Sequence, residues 1–570
     1  MTNKHEQSID REAAKLVVIG WDAATWDLLT PWLEAGDLPN LAGLMERGSY
    51  GALRSTALPL SPAAWSTIIT GQNPAKHGVF DWFQRKPGSY GVEYVHSGQI
   101  LSKPIWKYFN EGGKSIGVFN LPMIYPAVPI EGFMVAGMAA PSAQVPGLTY
   151  PDDLLGIIED KVGPYFVAER EVYKYGREEP YLQNMLTWLD YQKKVVLFLI
   201  ERQPCDSYLL VFMQSDHAQH KFWRYLDPKF PGYNSGYDMR YQDAIKVVYQ
   251  RLDKILGELV NILGDRSTYV LLSDHGAGPN YGVMYINRWL LEEGFLVLRR
   301  SLPTFMKSLL AKSNAISRIY NLVARIGLGT LAQLVSKPTR NKILNSFISF
   351  DDIDWKRTKA YARGSFGQIF VNLNGREPQG IVAPGENYQQ LVNEIMDKLG
   401  SLRHPETGDA LISDIHPKEE LYHGPYLDRA ADVMFSIRDY QYQSSVKFGL
   451  ESKSIIGPSE YEDSGSHRPE GVLVMAGPGI RRGATMDNAS VLDIMPTLLT
   501  LRGLSIPSGL DGRPLSEAFT DDQKARIHVE QEDYSENSER GFEPTLESPE
   551  LGDEELAQLE ERLRSLGYLG

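Results

Sequence analysis

The chain has 570 residues, 42% hydrophobic and 23% charged, an ordinary globular balance with ample length for a large core. Its one cysteine, Cys205, excludes an internal disulfide framework and a multi-cysteine zinc cluster. The formal net charge of −14 is uneven: residues 521–570 hold fifteen Asp+Glu against five Lys+Arg, leaving −4 on the rest, and nothing suggests a nucleic-acid-binding face.

Residues 1–14 are polar and charged, read as disordered, and lack the apolar stretch of a secretory signal. No run of 18 apolar residues exists, so no membrane-spanning helix is expected and a cytoplasmic location is predicted. Residues 15–20, Lys-Leu-Val-Val-Ile-Gly, read as a buried central strand, followed by a helix from about Thr25. Further buried strands are predicted at Ser115–Asn120, Ser207–Met213, Thr268–Ser273 and Gly471–Ala476. Helical patterns lie at Ser61–Thr70, Tyr181–Glu201, Tyr241–Leu263 and Ala489–Leu501. This alternation predicts an α/β sandwich with a largely parallel sheet. Cys205, at the start of an apolar run, reads as a small buried residue.

Three stretches depart from the alternation. Residues 301–350 carry seven Lys+Arg and no acidic residue. There Leu302, Phe305, Met306, Leu309 and Leu310, and again Ile316, Ile319, Tyr320, Val323 and Ile326, follow helical spacing. The plain reading is a helical cap packed on the domain. The sharper one is a peripheral membrane contact, or a lid over a lipid-like phosphate, because a basic helix with an apolar face suits anionic lipid. Residues 351–465 read as an added α/β region with strands near Lys359–Arg363 and Gly367–Leu373. From Asp521 to Glu550 the chain reads as an acidic linker, before a final helix at Asp553–Leu566.

In open α/β sheets, functional groups gather beyond the carboxyl ends of the strands. Here the predicted strands run into metal-ligand residue types: Asp22 after the first, Asp216, His217 and His220 after the Ser207 strand, and Asp274-His275 after the Thr268 strand. His467 stands just before the Gly471 strand. An aspartate after a strand is often only a helix N-cap, and a lone histidine is often inert. The same chemistry at several strand ends favours a site for divalent metals such as zinc or manganese. Ser61-Pro62 marks a helix start, with Ser61 expected as N-cap and Pro62 at the first helical position. That geometry also suits an anion, and a serine there beside a metal can act as nucleophile.

In order and spacing, Asp22, Ser61 with the downstream Thr70-Gly71-Gln72-Asn73-Pro74-Ala75-Lys76-His77-Gly78, Asp216-x-x-x-His220, Asp274-His275-Gly276 and Ser466-His467 resemble the type I phosphodiesterase/nucleotide pyrophosphatase family of the alkaline-phosphatase superfamily. The prokaryotic phosphohydrolase/phosphomutase branch is the nearer likeness. The resemblance implies an alkaline-phosphatase-like three-layer sandwich with a mostly parallel central sheet and inserted cap regions. The resemblance covers about residues 15–125, 205–295 and 350–515; with the composition, it divides the chain into a core over 15–300 and 351–520, the basic insert at 301–350, and the acidic segment and helix at 521–570. It implies two divalent metal ions, zinc first and manganese second. Asp216, His220 and His467 would hold one; Asp22, Asp274, His275 and the Ser61 oxygen would hold the other. The implied substrate is a phosphate ester, more naturally a diester, cleaved through a phosphoseryl intermediate on Ser61. A phosphomonoesterase or phosphomutase with the same metals is the first alternative, and a non-catalytic membrane-associated scaffold the second.

Two departures bear on specificity. The family's usual nucleophile is threonine, with a phosphate-binding asparagine three residues on; here Ser61 and Ala64 stand instead. Asn120 and the Ser61–Ala64 backbone amides are the substitutes considered for binding phosphate oxygens, with His217 and Arg468 as further substrate contacts. His77 is expected to stabilise the turn after the nucleophile helix. Ser61 also lacks the Cys/Ser-x-Pro-x-Arg setting of sulfatases.

Overall fold

The computed structural model describes residues 15–530, apart from 87, 170, 232, 234–237, 302–303, 305–347, 365, 451 and 460–461, and also 557, 559–560 and 562–563. The expectations for residues 1–14, for nearly all of the basic insert, for 531–556 and for most of the last helix lie outside the described residues.

A nine-stranded sheet forms the centre. Its strands are β1 (Leu16–Trp21), β2 (Gly48–Arg54), β3 (Ile116–Leu121), β4 (Gly132–Ala136), β5 (Thr149–Tyr150), β6 (Ser207–Phe212), β7 (Thr268–Leu272), β8 (Glu470–Ala476) and β9 (Ala489–Ser490). They lie in the order β9-β2-β8-β7-β1-β6-β3-β4-β5. The middle, β7-β1-β6-β3-β4, is wholly parallel. β8 runs antiparallel to both β7 and β2. Every residue of β1, β3 and β6 is buried, as expected for parallel strands covered on both faces.

Alternation along β1 divides the core in two. Val17, Ile19 and Trp21 pack on one face, and Leu16 and Val18 on the other. The first face is covered by helices that include α2 (Glu178–Arg202) and α4 (Ala244–Leu263), the second by helices that include α1 (Ser61–Thr70). The result is a three-layer α/β sandwich. Helix α3 (Gln214–Leu226) follows β6 directly. Gly20 lets α1 approach β1, because a Cβ there would lie 2.5 Å from Trp65 Cη2.

A second sheet, of seven strands, builds the added region. Gly282–Tyr285 sits inside it, beside Tyr442–Ser445, so this sheet already draws on the chain before residue 300. Its core includes Leu58, Leu60 and Ala63, which anchors it beside the start of α1. Two segment boundaries differ from expectation. Residues 521–530, expected as linker, form a short helix at Asp521–Lys524 capped by Thr520, then a strand at Val529–Glu530 paired with Ile506–Pro507. Buried Gln523, whose amide donates to the Thr500 carbonyl, fixes that segment despite its acidity. Ala489–Ser490 pairs with β2 as a strand, so the last core helix begins only at Ile494. Among the described residues, no helix is long and apolar enough to cross a membrane.

Candidate active site

Parallel register sets the site. Trp21 lies opposite Phe212, and Gly20 opposite Leu272, so β1, β6 and β7 end at one edge and release Asp22, helix α3 and Asp274 together. The turn after β1 is held tightly: the Ala23 backbone is left-handed at φ 57°, a strained conformation for a residue with a Cβ. Ser215 Oγ donates to the Asp22 carbonyl at 2.6 Å, and Gln219 Nε2 to the Ala23 carbonyl at 3.0 Å. Ser215 and Gln219 thus clamp the turn, while Asp216 and His220, also four residues apart, project as a pair. His467 arrives from a different element, the strand Gly465–Arg468, antiparallel to Gly276–Pro279.

Two groups of three ligand-type residues result: Asp216, His220 and His467, and Asp22, Asp274 and His275, with the ligand atoms of each group within 4.8 Å of one another. All six residues are buried. His220 Nε2 lies 3.3 Å from Asp216 Oδ1 and 3.1 Å from His467 Nε2. His275 Nε2 lies 3.4 Å from Asp274 Oδ2 and 3.7 Å from Asp22 Oδ1. The His275 and His467 rings stack with centroids 3.8 Å apart, joining the groups. Ser61 Oγ lies 3.1 Å from His275 Nε2.

The ring orientations follow from their outer contacts. His467 Nδ1 faces the Pro59 carbonyl at 2.6 Å, and His275 Nδ1 faces the Gly276 carbonyl at 3.0 Å. A carbonyl only accepts, so each Nδ1 carries the proton and each Nε2 presents its lone pair inward. Asp22 is oriented by Trp65, whose indole N–H donates to Oδ2 at 2.8 Å.

The donor set fits cations. Asp22 Oδ1 and Asp274 Oδ2 are buried carboxylate oxygens with no hydrogen-bond partner among the described residues. Three carboxylates and three imidazoles sharing dry space are costly unless positive charge joins them, and an Asp/His set suits zinc or manganese. The electrostatics reflect this crowding. Burial, then the Asp274 and Asp216 charges, push the Asp22 carboxyl well above its ordinary range, and burial also raises Asp274. Burial alone would raise Asp216, but His220, with help from His467 and His275, outweighs it and holds the carboxyl well below that range. Burial would lower His220, but Asp216 outweighs it and raises the ring. His467 is held well below its ordinary value by burial and then by His275.

Several expected residues fall differently. Ser61 is the first residue of α1 and Leu60 is the N-cap, with no side-chain cap; the Ser61 hydroxyl turns to His275 instead. The Ala64 amide is taken by the Leu60 carbonyl at 2.9 Å and Pro62 has none, which leaves the Ser61 and Ala63 amides as the two at this helix start outside the helical hydrogen bonding. Asn120 is buried, with φ 57°, and its amide nitrogen donates to the Val211 carbonyl at 3.0 Å. That fixes it within the sheet edge. The Arg468 guanidinium donates to the carbonyls of Tyr440 at 2.7 Å, His467 at 2.8 Å and Pro279 at 2.5 Å. It clasps the strand that carries His467, and burial pulls its pKa down to about 10. His217 belongs to neither group of ligand-type residues; its Nδ1 lies 2.5 Å from Glu169 Oε1 and its ring stacks on Trp188. His77 packs behind α1, with Nε2 3.0 Å from Thr67 Oγ1. Cys205 is buried and its thiol is pushed up to about 12. Trp65, Ser215, Gln219 and Glu169 were not anticipated. Trp65 was legible, since it stands four residues from Ser61 on one helix face; Glu169 lies 48 residues from its partner with no local signal.

The model of the type I phosphodiesterase / nucleotide pyrophosphatase family matches residues 16–470. A segment of 85 residues is 35% identical to human arylsulfatase K, a match spanning 14% of this chain and 15% of that relative's length. Among solved structures, phosphonoacetate hydrolase from Sinorhizobium meliloti 1021 in complex with phosphonoformate superposes with a TM-score of 0.50 and 15% identity, covering 85% of this chain and 94% of the other. Human ectonucleotide pyrophosphatase / phosphodiesterase 5 gives 0.45 and 13%, covering 86% and 95%.

Proposed function

Because the chain belongs to the type I phosphodiesterase/nucleotide pyrophosphatase family, a family of phosphoester hydrolases in the alkaline-phosphatase superfamily, we propose that it hydrolyses phosphate esters, diesters in preference to monoesters, through a phosphoseryl intermediate on Ser61. Two divalent cations, zinc or manganese, would occupy the Asp216–His220–His467 and Asp22–Asp274–His275 groups. The observation that carries the reading is the Ser61 hydroxyl, buried and 3.1 Å from His275 Nε2, at the start of a helix and beside the Asp22–Asp274–His275 group.

Ser61 Oγ attacks phosphorus as its proton leaves, and the ester oxygen departs and takes up a proton. A water then cleaves the Oγ–P bond and restores the serine. The Ser61 and Ala63 amides at the helix N-terminus meet the negative phosphoryl oxygens. Trp65 and the Pro59 and Gly276 carbonyls hold Asp22, His467 and His275 in the orientation the site needs. When bound, divalent cations supply Lewis-acid charge that lowers the pKa of the serine hydroxyl and neutralises phosphoryl oxygens.

The test is turnover of bis-p-nitrophenyl phosphate, p-nitrophenyl phosphate and p-nitrophenyl sulfate by metal-stripped protein resupplied with Zn²⁺ or Mn²⁺. Metal-dependent hydrolysis should be fastest on the diester, and Ser61→Ala should lose about 10³-fold or more. Full activity in Ser61→Ala would overturn the nucleophile, a faster monoester would overturn the diester preference, and dominant sulfate hydrolysis would overturn the substrate class.

A further inference from the structure

Away from Ser61, the seam between the segment after α1 and the second sheet gathers an unusual density of guanidinium groups. A cleft of about 240 Å³ opens there, bordered by Arg85, Lys86, Arg376 and Arg429. A smaller space adjoins it, sharing Arg85 and Arg429 and adding Arg363. Five cations thus border the two spaces, against three carboxylates, Asp81, Glu93 and Glu377. None of these residues belongs to the groups around Ser61.

The carboxylates do not absorb the excess. Glu377 is shared by Arg85 and Arg376, and Arg376 also pairs with buried Asp432 at 2.6 Å. Glu93 is engaged by the side-chain amides of Gln84 and Gln99. Asp81 accepts the Trp82 amide at 2.7 Å and the Gln368 side-chain amide at 3.0 Å. Arg429 and Arg363 form no ion pair among the described residues. Arg429 donates to Gln84 Oε1 at 3.3 Å and lies over the Tyr426 ring. Arg363 donates to the Tyr90 carbonyl and lies over the Phe350 ring. Burial lowers the pKa of both, against smaller opposing pulls that include Glu377 on Arg363 and Glu93 on Arg429. Such groups are costly to keep unpaired, and planar guanidinium forks match phosphoryl oxygens in geometry.

We propose that this cleft is a binding site for a phosphoryl group, held by Arg429 and Arg85 with Lys86 at its mouth and Arg363 behind. Its volume lies below that of pockets for whole drug-sized ligands, which suits a single phosphoryl or diphosphoryl moiety. The site also has a path to the catalytic groups. Gly364 borders the smaller space, and Phe366, two residues on in the sequence, packs on the His467 ring with centroids 5.5 Å apart. The phosphoryl group is therefore either a second one on the substrate or free inorganic phosphate; only the substrate source rests on the hydrolytic reading.

The experiment is calorimetric titration of the full-length protein with inorganic phosphate and with pyrophosphate, as purified and after chelation of metals. A saturable site should survive chelation, weaken at least tenfold in Arg429→Gln and weaken several-fold in Lys86→Gln, whose exposed side chain can change without disturbing the fold. No saturable site at millimolar phosphate after chelation, or equal affinity in both variants, would overturn the proposal. Kinetics then separate the sources. If the group belongs to the substrate, Arg429→Gln raises KM for esters carrying a second phosphoryl group and spares those with one; if it is free phosphate, both KM values stay unchanged while binding is lost. An absence of any turnover would fault the hydrolytic reading and leave the binding result standing.

Discussion

His77 gives the sharpest electrostatic prediction. Its Nδ1 accepts the Val79 amide at 3.2 Å, so the ring proton sits on Nε2 and donates to Thr67 Oγ1 at 3.0 Å, tying the turn at Asn73–Gly78 to α1. Adding a second proton would place N–H against N–H in a fully buried space. Burial accordingly pulls the pKa from 6.5 to about 3, against a smaller opposing pull from Asp511. The folded value lies below the unfolded one, so the neutral ring's stabilisation is complete above about pH 6.5 and is lost as pH falls towards about 3. The whole shift corresponds to about 5 kcal/mol, of which about 2 kcal/mol is lost by about pH 5. Hydrogen exchange at the histidine C2 position, read by mass spectrometry, would follow the ring directly. Denaturant unfolding of wild type and His77→Asn between about pH 8 and pH 5 would follow the energy. Wild type should lose about 2 kcal/mol more than the variant over that range. Titration of His77 near 6.5 in the folded protein, or parallel pH profiles for the two proteins, would refute the reasoning.

Other perturbations follow from single contacts. Trp65→Phe removes the indole N–H from Asp22 Oδ2 and should weaken metal binding by about 10–100-fold in titrations against a competing chelator; unchanged affinity would count against the role given to Trp65. Gly20→Ala would set a Cβ 2.5 Å from Trp65 Cη2 and 3.2 Å from Val211 Cγ2, so it should cost about 1–3 kcal/mol, read as a lowered denaturation midpoint. Arg376→Ala strips the closest cation from buried Asp432 but leaves Lys418 at 3.2 Å and the Tyr388 hydroxyl at 2.9 Å. Its cost should fall at the lower end of the 3–5 kcal/mol scale for a broken buried pair, about 3 kcal/mol, and a loss well below that would mean Lys418 and Tyr388 suffice.

The central strands and the residues beyond their ends were legible because burial on both faces leaves unbroken apolar runs, and Asp22, Asp216 and Asp274 stand within four residues of those runs. Direction was not legible: β8 reads as one more buried strand, yet it runs antiparallel between β2 and β7, and nothing in Gly-Val-Leu-Val-Met-Ala encodes polarity. Ser61 followed by Pro62 matches a capping pattern, but burial beside His275 draws its hydroxyl inward, and Leu60 takes the cap position. The surroundings of Arg468 were not legible either. Its charge and its place beside His467 suggest an anion contact, whereas its reach along the strand pair supplies three carbonyls at closer range. The Arg85, Arg363 and Arg429 cleft could not be read from the chain at all, because Arg85 stands 278 residues before Arg363 and Arg429 a further 66 residues on.

The most direct measurement is mass spectrometry of the Ser61 peptide after acid quench of the metal-loaded protein turning over p-nitrophenyl phosphate. A phosphoryl group on Ser61 that builds up during turnover, disappears as substrate is exhausted, and is absent from Ser61→Ala is the predicted result. Turnover at full rate with Ser61 unmodified at every quench time, and retained in Ser61→Ala, would contradict the account.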